Sequence, residues 1–389
     1  MHEGQLVFSQ IMNFIPRYEF NKCVSNYDGN YRVRSYTCWQ HYLCMAFAQL
    51  TYRHSLREIV TCLHAMQAKL YHMGFRSSLS KSTISEANEK RNWKIYADFA
   101  HILISQAREL YKDSDNGLFL SETVYAMDAS TIDLCLSLFP WANFRKHKAA
   151  IKLHTLLDLR GNIPSFIKVT DGKVHEMNVM DMILPEPGSI YVFDRGYLSF
   201  ERLYRFHQYQ AWFVIRAKND IKTRRIYSRE VDKSIGLKYD QTVKLTNFYP
   251  LKYYPEQLRK IKYIDPETDK CFIFLTNNFT LPAYTITQIY KSRWQVELFF
   301  KWIKQHLRIK AFYGTSENAV KSQIWIAISV YALVAIMKKL LKIDLSLYTI
   351  LQILSVSIFD KTPVNQLLMK SDYTANNGIS HNQLNLFNL

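Results

Sequence analysis

The sequence predicts a mixed α/β protein with helical ends, and three observations predict it. Apolar residues recur at helical spacing up to about residue 115, give way to short apolar runs bounded by turns from about residue 120, and return to helical spacing near residue 290. Between these limits the order is strand, hairpin, strand, helix, strand, which builds a sheet covered by helices. At 389 residues with 48% hydrophobic content, the chain has material for two or three domains with real cores.

The elements follow in order. Tyr42–Tyr52, Ser55–Tyr71 and Trp93–Leu110 carry apolar residues along one helical face. Within "GFRSSLSKSTISEANEKRNWK", Gly74 is a stop signal, serines make a turn, and Thr83 to Glu86 reads as a capping box. A helix, a turn and a capped helix bearing Lys90, Arg91 and Lys94 are compatible with a helix-turn-helix, and equally with a plain bundle. "TVYAMDAS" is then a strand ending in Asp128, and "IKLHTLLDLRGNIPSFIKVTDG" a hairpin around Gly161-Asn162. "SIYVFDRGY" is a strand ending in Asp194, "FERLYRFHQY" a helix and "AWFVIRAK" a further strand. Residues 217 to about 280 are strand-rich and basic, an inserted β-subdomain with a hairpin around Pro266–Asp269. Residues 290–310 read as one amphipathic helix, followed by helices over about 317–341 and 346–359 and a polar, frayed tail from 370. The domains are therefore 1–115, 120–310 and 311–369.

Lys and Arg total 50 against 33 Asp and Glu, a net charge of +17 that favours a polyanionic partner, nucleic acid before an acidic membrane surface. The longest apolar run, Ile324 to Met337, is short for a bilayer span and reads as a buried helix. "MHEGQLVFSQ" shows no signal-peptide pattern. The six cysteines form no CxxC pair, so neither a zinc site nor a disulfide framework is expected, and a reduced cytosolic protein fits best.

The helix over 290–310 carries two stripes. Val296, Phe299, Phe300, Ile303 and Leu307 make a core-facing one. Tyr290, Arg293, Glu297, Lys301, Lys304 and Arg308 make another, in which a single carboxylate stands among groups suited to phosphate. Asp128 and Asp194 each follow a buried apolar run, and ligands collect at the carboxyl ends of parallel strands. Carboxylates brought together repel unless a cation joins them, and oxygen-only donors suit Mg²⁺ or Mn²⁺. Each residue also has a plain reading, as turn cap or as helix-face ion-pair partner, and Asp133, Asp158 and Asp171 follow apolar runs too. Residue patterns leave metal-dependent phosphodiester chemistry as one reading among several. His154 and His175 read as hydrogen-bonded structure, while Arg195, Arg216 and Lys218 are placed to meet phosphate. By their place on the two stripes, Arg293 and Lys304 are expected to serve a bound polyanion and not the fold, and Phe300 the fold.

The spacing Tyr290-x2-Arg293-x3-Glu297-x6-Lys304 resembles the signature of the "insertion sequence four" family of DDE transposases. "YAMDAST" and "YVFDRGY" are similar to that family's two aspartate blocks, with gaps of 66 (194 − 128) and 103 (297 − 194) residues. The resemblance spans roughly Tyr125 to Arg308, and the helical start is similar to the family's amino-terminal domain. It implies a ribonuclease-H-like core in which Asp128, Asp194 and Glu297 bind two divalent ions, Mg²⁺ or Mn²⁺. It implies DNA contacts from Tyr290, Arg293 and Lys304, to which position adds Lys301 and Arg308. It further implies cut-and-paste transposition in the bacterial cytoplasm, on double-stranded DNA bearing terminal inverted repeats and on target DNA. A homodimer would hold the paired ends, residues 1–115 would recognise them, and no membrane is involved. The rivals are a structure-specific nuclease or resolvase on the same core, and a catalytically idle DNA-binding descendant. One departure stands out: no Trp lies between Ala217 and Arg293, where some members stack one on a flipped base, so the hairpin route is left open, with Phe248, Tyr249, Tyr253 or Tyr254 as substitutes.

Overall fold

Side-chain oxygens start several of the amino-terminal helices. Helices α1 (Val7–Met12), α2 (Arg17–Asn26), α3 (Cys38–Leu50), α4 (Leu56–Ala65), α5 (Gln67–Leu70), α6 (Lys81–Lys90) and α7 (Trp93–Tyr111) follow one another. Thr37, Ser55 and Ser80 cap α3, α4 and α6, each accepting from the backbone N–H three residues on. Ser80 therefore displaces the expected capping box. Thr83 lies inside α6, and Glu86 pairs with Lys90 at 2.6 Å instead. Arg91 is not a surface cation: it donates to the carbonyls of Gly29 and Tyr36. The computed structural model describes residues 4–76, 79–114, 117–118, 120–146, 148–218, 221–306 and 312–369.

A long meander opens the middle of the chain: β1 (Val124–Leu134), the short β2 (Asn143–Arg145), β3 (Lys148–Asp158) and β4 (Ile163–Asp171). The turn between β3 and β4 uses positive φ at Gly161 (+77°) and Asn162 (+58°), as the hairpin reading expects. Helix α8 (Glu176–Met180) leads to β5 (Ile190–Phe193), whose four residues are all buried, as in a parallel strand covered on both faces. Helix α9 (Phe200–Gln208) crosses over to β6 (Trp212–Arg216). β1 pairs antiparallel with β3 and parallel with β5, and β5 pairs parallel with β6. The order β4-β3-β1-β5-β6 is thus three antiparallel strands followed by two parallel ones, the ribonuclease-H-like arrangement.

The inserted strands β7 (Thr223–Arg229) and β8 (Leu237–Leu245) come next. Then follow α10 (Phe248–Tyr253), β9 (Leu258–Ile264) and β10 (Cys271–Thr276), with β10 pairing antiparallel with β6 so that all of them carry on one sheet. On one face Phe206 and Leu203 of α9 pack on Tyr191, Phe193 and Phe213 of the sheet; Phe193 and Phe206 meet at 5.2 Å between ring centroids.

The expected single helix over 290–310 is α11 (Ala283–Ser292) and α12 (Trp294–His306), divided at Arg293. Arg293 keeps right-handed helical dihedrals, but its N–H bonds the carbonyl of Tyr290 and its carbonyl takes the N–H of Val296, a locally tightened turn. Residues 307–310 of that stretch, with Leu307 and Arg308, lie outside the described residues.

Helices α13 (Glu317–Leu340), α14 (Leu347–Ser357) and α15 (Val364–Met369) end the described chain. α13 has the bounds expected of it, about 317–341, and extends beyond the apolar run Ile324 to Met337 at both ends. It is long and apolar enough to cross a membrane, but 94% of its most apolar window is buried inside the protein, the expected buried helix. The chain forms two units: Met1–Leu103 with His306–Gly314 and Ser322–Leu389, and Ile104–Gln305 with Thr315–Lys321. In the first, every residue of α3 except Trp39 is buried, and its Tyr42 hydroxyl meets Ser329 of α13 at 3.1 Å. Gln10 of α1 donates to Thr362 and accepts from the N–H of Val364, fastening the ends of the described chain together.

Candidate active site

The two aspartates come side by side through strand register. The parallel β1–β5 ladder ends on the pair Met127↔Phe193, so Asp128 and Asp194 are the next residue on each strand. β5 stops there. β1 does not: it runs on to Leu134 because residues 129–134 keep pairing with β3, so Asp128 is mid-strand and not at a strand end as expected. Asp194 opens a 3-10 turn, Arg195–Tyr197. Glu297 lies in the first turn of α12.

Arg293 ties two of these carboxylates together. Its Nη1 donates to Asp128 Oδ2 at 3.1 Å and its Nη2 to Glu297 Oε1 at 2.6 Å, with 15% of the side chain exposed. Tyr290 Oη donates to Asp194 Oδ1 at 3.2 Å, and its ring packs 4.7 Å from that of Phe274. Asp128 Oδ1 accepts from the backbone of Ala129 at 2.8 Å. Burial pushes the Asp128 carboxyl up to about 6; Glu297 and Asp194 add to the rise, while the Ala129 N–H and Arg293 oppose it. Asp128 therefore feels the other two carboxylates, and the guanidinium supplies compensating positive charge.

Lys304 Nζ donates to the carbonyl of Thr131 at 2.8 Å, three residues beyond Asp128 on β1. Lys301 is exposed on α12, Arg195 is exposed beside Asp194, and Lys218 is exposed just past β6. Arg216 ends β6 half-buried, 5.0 Å from the centre of the Phe272 ring. The Arg293 guanidinium, expected to meet DNA, donates here to Asp128 and Glu297. The histidines are structural as expected: His154 bonds Thr170, and His175 caps α8. Tyr197 was missed. Its buried hydroxyl has no hydrogen-bond partner among the described residues. Burial first, then the charges of Asp128, Glu176 and Asp194, hold it well above the ordinary tyrosine value. Its position three residues after Asp194, on the 3-10 turn, was the available signal.

No group of three or more His, Cys, Asp or Glu among the described residues stands ready-made to hold a metal. The chemistry of the donor set nevertheless fits a hard divalent ion. Asp128, Asp194 and Glu297 offer oxygens alone, and their mutual repulsion is already relieved by a cation, the Arg293 guanidinium.

The strand order defines a ribonuclease-H-like protein. Residues 120–333 match the family described as "Transposase DDE domain", and the chain belongs to that family. DNA transposition is its function. Residues 3–76 match a family described as "Domain of unknown function (DUF4372)". The chain is 29% identical over 288 residues to a "Putative transposase y4zB" of Sinorhizobium fredii, covering 72% of this chain and 78% of the relative. It is 27% identical over 254 residues to a "Probable transposase for insertion sequence element IS5377" of Geobacillus stearothermophilus, covering 65% and 66%. It is 25% identical over 266 residues to a "Putative transposase for insertion sequence element IS4SA" of a Synechocystis species, covering 66% and 71%.

Proposed function

We propose that the chain transposes its element by cut-and-paste, with Asp128, Asp194 and Glu297 as the catalytic carboxylates and as ligands of two divalent ions, Mg²⁺ or Mn²⁺. The observation that carries this reading is the register that sets Asp128 and Asp194 side by side, with Arg293 linking Asp128 to Glu297. Two such ions, when bound, activate the attacking oxygen and stabilise the leaving one. The chain's own part is to orient. Tyr290 fixes the Asp194 carboxylate, Arg293 fixes the other two, and Lys304 braces α12 on β1. Lys301, Arg195, Arg216 and Lys218 hold the phosphodiester backbone, joined by Arg308, and Tyr290, Arg293 and Lys304 turn to the strand once DNA and metal are in place. The substrates are the double-stranded terminal inverted repeats of the element and its target DNA. Residues 1–115 recognise the ends, and a homodimer holds two ends together. The setting is the bacterial cytoplasm, on nucleoid DNA.

The test uses Asp128→Asn, Asp194→Asn and Glu297→Gln in the full chain, with duplexes carrying the element's ends. Each variant should lose Mg²⁺-dependent cleavage and strand transfer while still shifting the duplex in EDTA. Cleavage by any one of the three at the parental rate would remove that residue from the triad.

A further inference from the structure

Strand β7 is the outer edge of the sheet, and its five central residues, Arg224–Ser228, are all exposed. Successive side chains point to opposite faces, so neither face of this strand is covered, and Ile226 and Tyr227 stand 47% and 60% exposed. An edge strand with apolar side chains left in solvent is a liability unless something blocks or occupies it. Here the charges are the clue. β7, β8 and β9 together carry eight Lys or Arg against a single acid, Asp240. That acid is buried and already paired with Arg259 at 2.7 Å, so it does not neutralise the surface. These 23 residues hold a local excess of seven positive charges in a chain whose total is +17.

The cations are also set against one another. Arg224 lies directly across the ladder from Lys244, and like charges in that relation destabilise a sheet. Lys260 Nζ reaches from β9 to Thr223 Oγ1 at 3.2 Å, bringing another positive charge to the same strand. Arg224, Arg225 and Lys244 have no ion-pair partner among the described residues. An arrangement that repels itself is relieved by a polyanion. A second copy of the chain is the poorer occupant, because edge pairing would bring another run of arginines alongside this one.

We propose that β7, with Lys244 of β8, is a docking strand for the phosphate backbone of double-stranded DNA, separate from the carboxylate site. The inference rests on the transposase reading and adds a second point of DNA contact to it. Five strand spacings separate β7 from β5, roughly 24 Å at about 4.8 Å each. That is about seven base pairs from the scissile position along a duplex rising 3.4 Å per pair. Such a contact holds a duplex in line with the site without touching the reacting phosphate.

The experiment measures binding of the full-length protein to a mixed-sequence 30-base-pair duplex in EDTA, between 50 and 200 mM salt. The triple variant Arg224→Ala, Arg225→Ala, Lys244→Ala is compared with the parent. A control removes the same charge from unrelated exposed positions, Lys168→Ala, Lys342→Ala and Lys361→Ala. Three lost phosphate contacts lower the salt slope by about 2.7, so across that fourfold range the parent should lose roughly 40-fold more affinity than the triple variant. The control should keep close to the parental slope, and all three proteins should melt alike. The inference is overturned if the triple variant keeps the parental slope, or if the control falls as far, which would mean net charge alone. It is overturned too if the triple variant changes self-association and not DNA binding, which would make the strand a contact between copies. A parent that binds no duplex overturns this inference and the transposase mechanism together; a parent that binds and cuts while the triple variant matches it overturns this inference alone.

Discussion

Arg293→Ala should destabilise the metal-free protein in a pH-dependent way. The guanidinium bridges Asp128 and Glu297, whose side chains are 21% and 34% exposed. Removing one partner of a fully buried ion pair costs about 3–5 kcal/mol. Partial exposure of Glu297 brings the expected cost down to about 2 kcal/mol. In a unit of this size each kcal/mol moves the melting temperature by about 2–4 °C, so the variant should melt about 4–8 °C lower at pH 8. The pH dependence follows from Asp128. Its carboxyl sits at about 6 when folded against an ordinary 3.8, so the stability it contributes is present in acid and lost as pH rises through 6. Without Arg293 the folded value climbs further. The deficit should therefore be small near pH 5, where Asp128 is protonated, and full at pH 8. Thermal melts in EDTA at both pH values measure it, and added Mg²⁺ should recover part of the loss at pH 8. Equal deficits at the two pH values, or none at pH 8, would refute the bridging role.

Three further outcomes are expected from the fold. Asp240→Ala leaves the Arg259 guanidinium, 3% exposed, without its carboxylate and should cost about 3–5 kcal/mol in a denaturant melt, partly recovered by adding Arg259→Met. Gly161→Ala should destabilise far more than Gly188→Ala: both have positive φ, but a Cβ at Gly161 would come within 2.1 Å of the Tyr111 ring, whereas nothing lies near Gly188. Phe300→Ala, at a position 5% exposed, should lower stability by about 3–5 kcal/mol, while Lys301→Ala on the exposed face of α12 should leave the melt unchanged.

How much of this was legible depended on whether the cause was local. β5 and its following Asp194 were readable because an unbroken apolar run is what a doubly covered parallel strand requires. Glu297 was readable because helical periodicity put it on the stripe beside the apolar one that holds Phe300. The overrun of β1 beyond Asp128 was not, since its cause is pairing with β3 some twenty residues later. Nor was the division at Arg293, a good helix former whose backbone stays right-handed while the hydrogen bonds tighten. In "SKST" every residue but the lysine is a credible cap, and only the turn geometry selects Ser80. α1 and α2 are too short and too mixed in polarity for periodicity to announce them. Half of the guanidinium bridge, Arg293 to Glu297, is a one-turn helical spacing visible in the motif; the other half, to Asp128 on β1, joins distant parts of the sequence and leaves no trace in any spacing.

The hydrogen bonds from Gln10 to residues 362 and 364 bear on the order of events during synthesis. The first unit needs α1–α7 and also the helices from Ser322 on, so its amino-terminal half leaves the ribosome long before its complement. At about 5–20 residues per second, the 218 residues between Leu103 and Ser322 take roughly 10–40 s to make. Throughout that interval the buried face of α3 has no partner from α13, while the sheet strands can pair as they emerge. A chain cut short before α13 would therefore lose its beginning as a folded body, not merely its end.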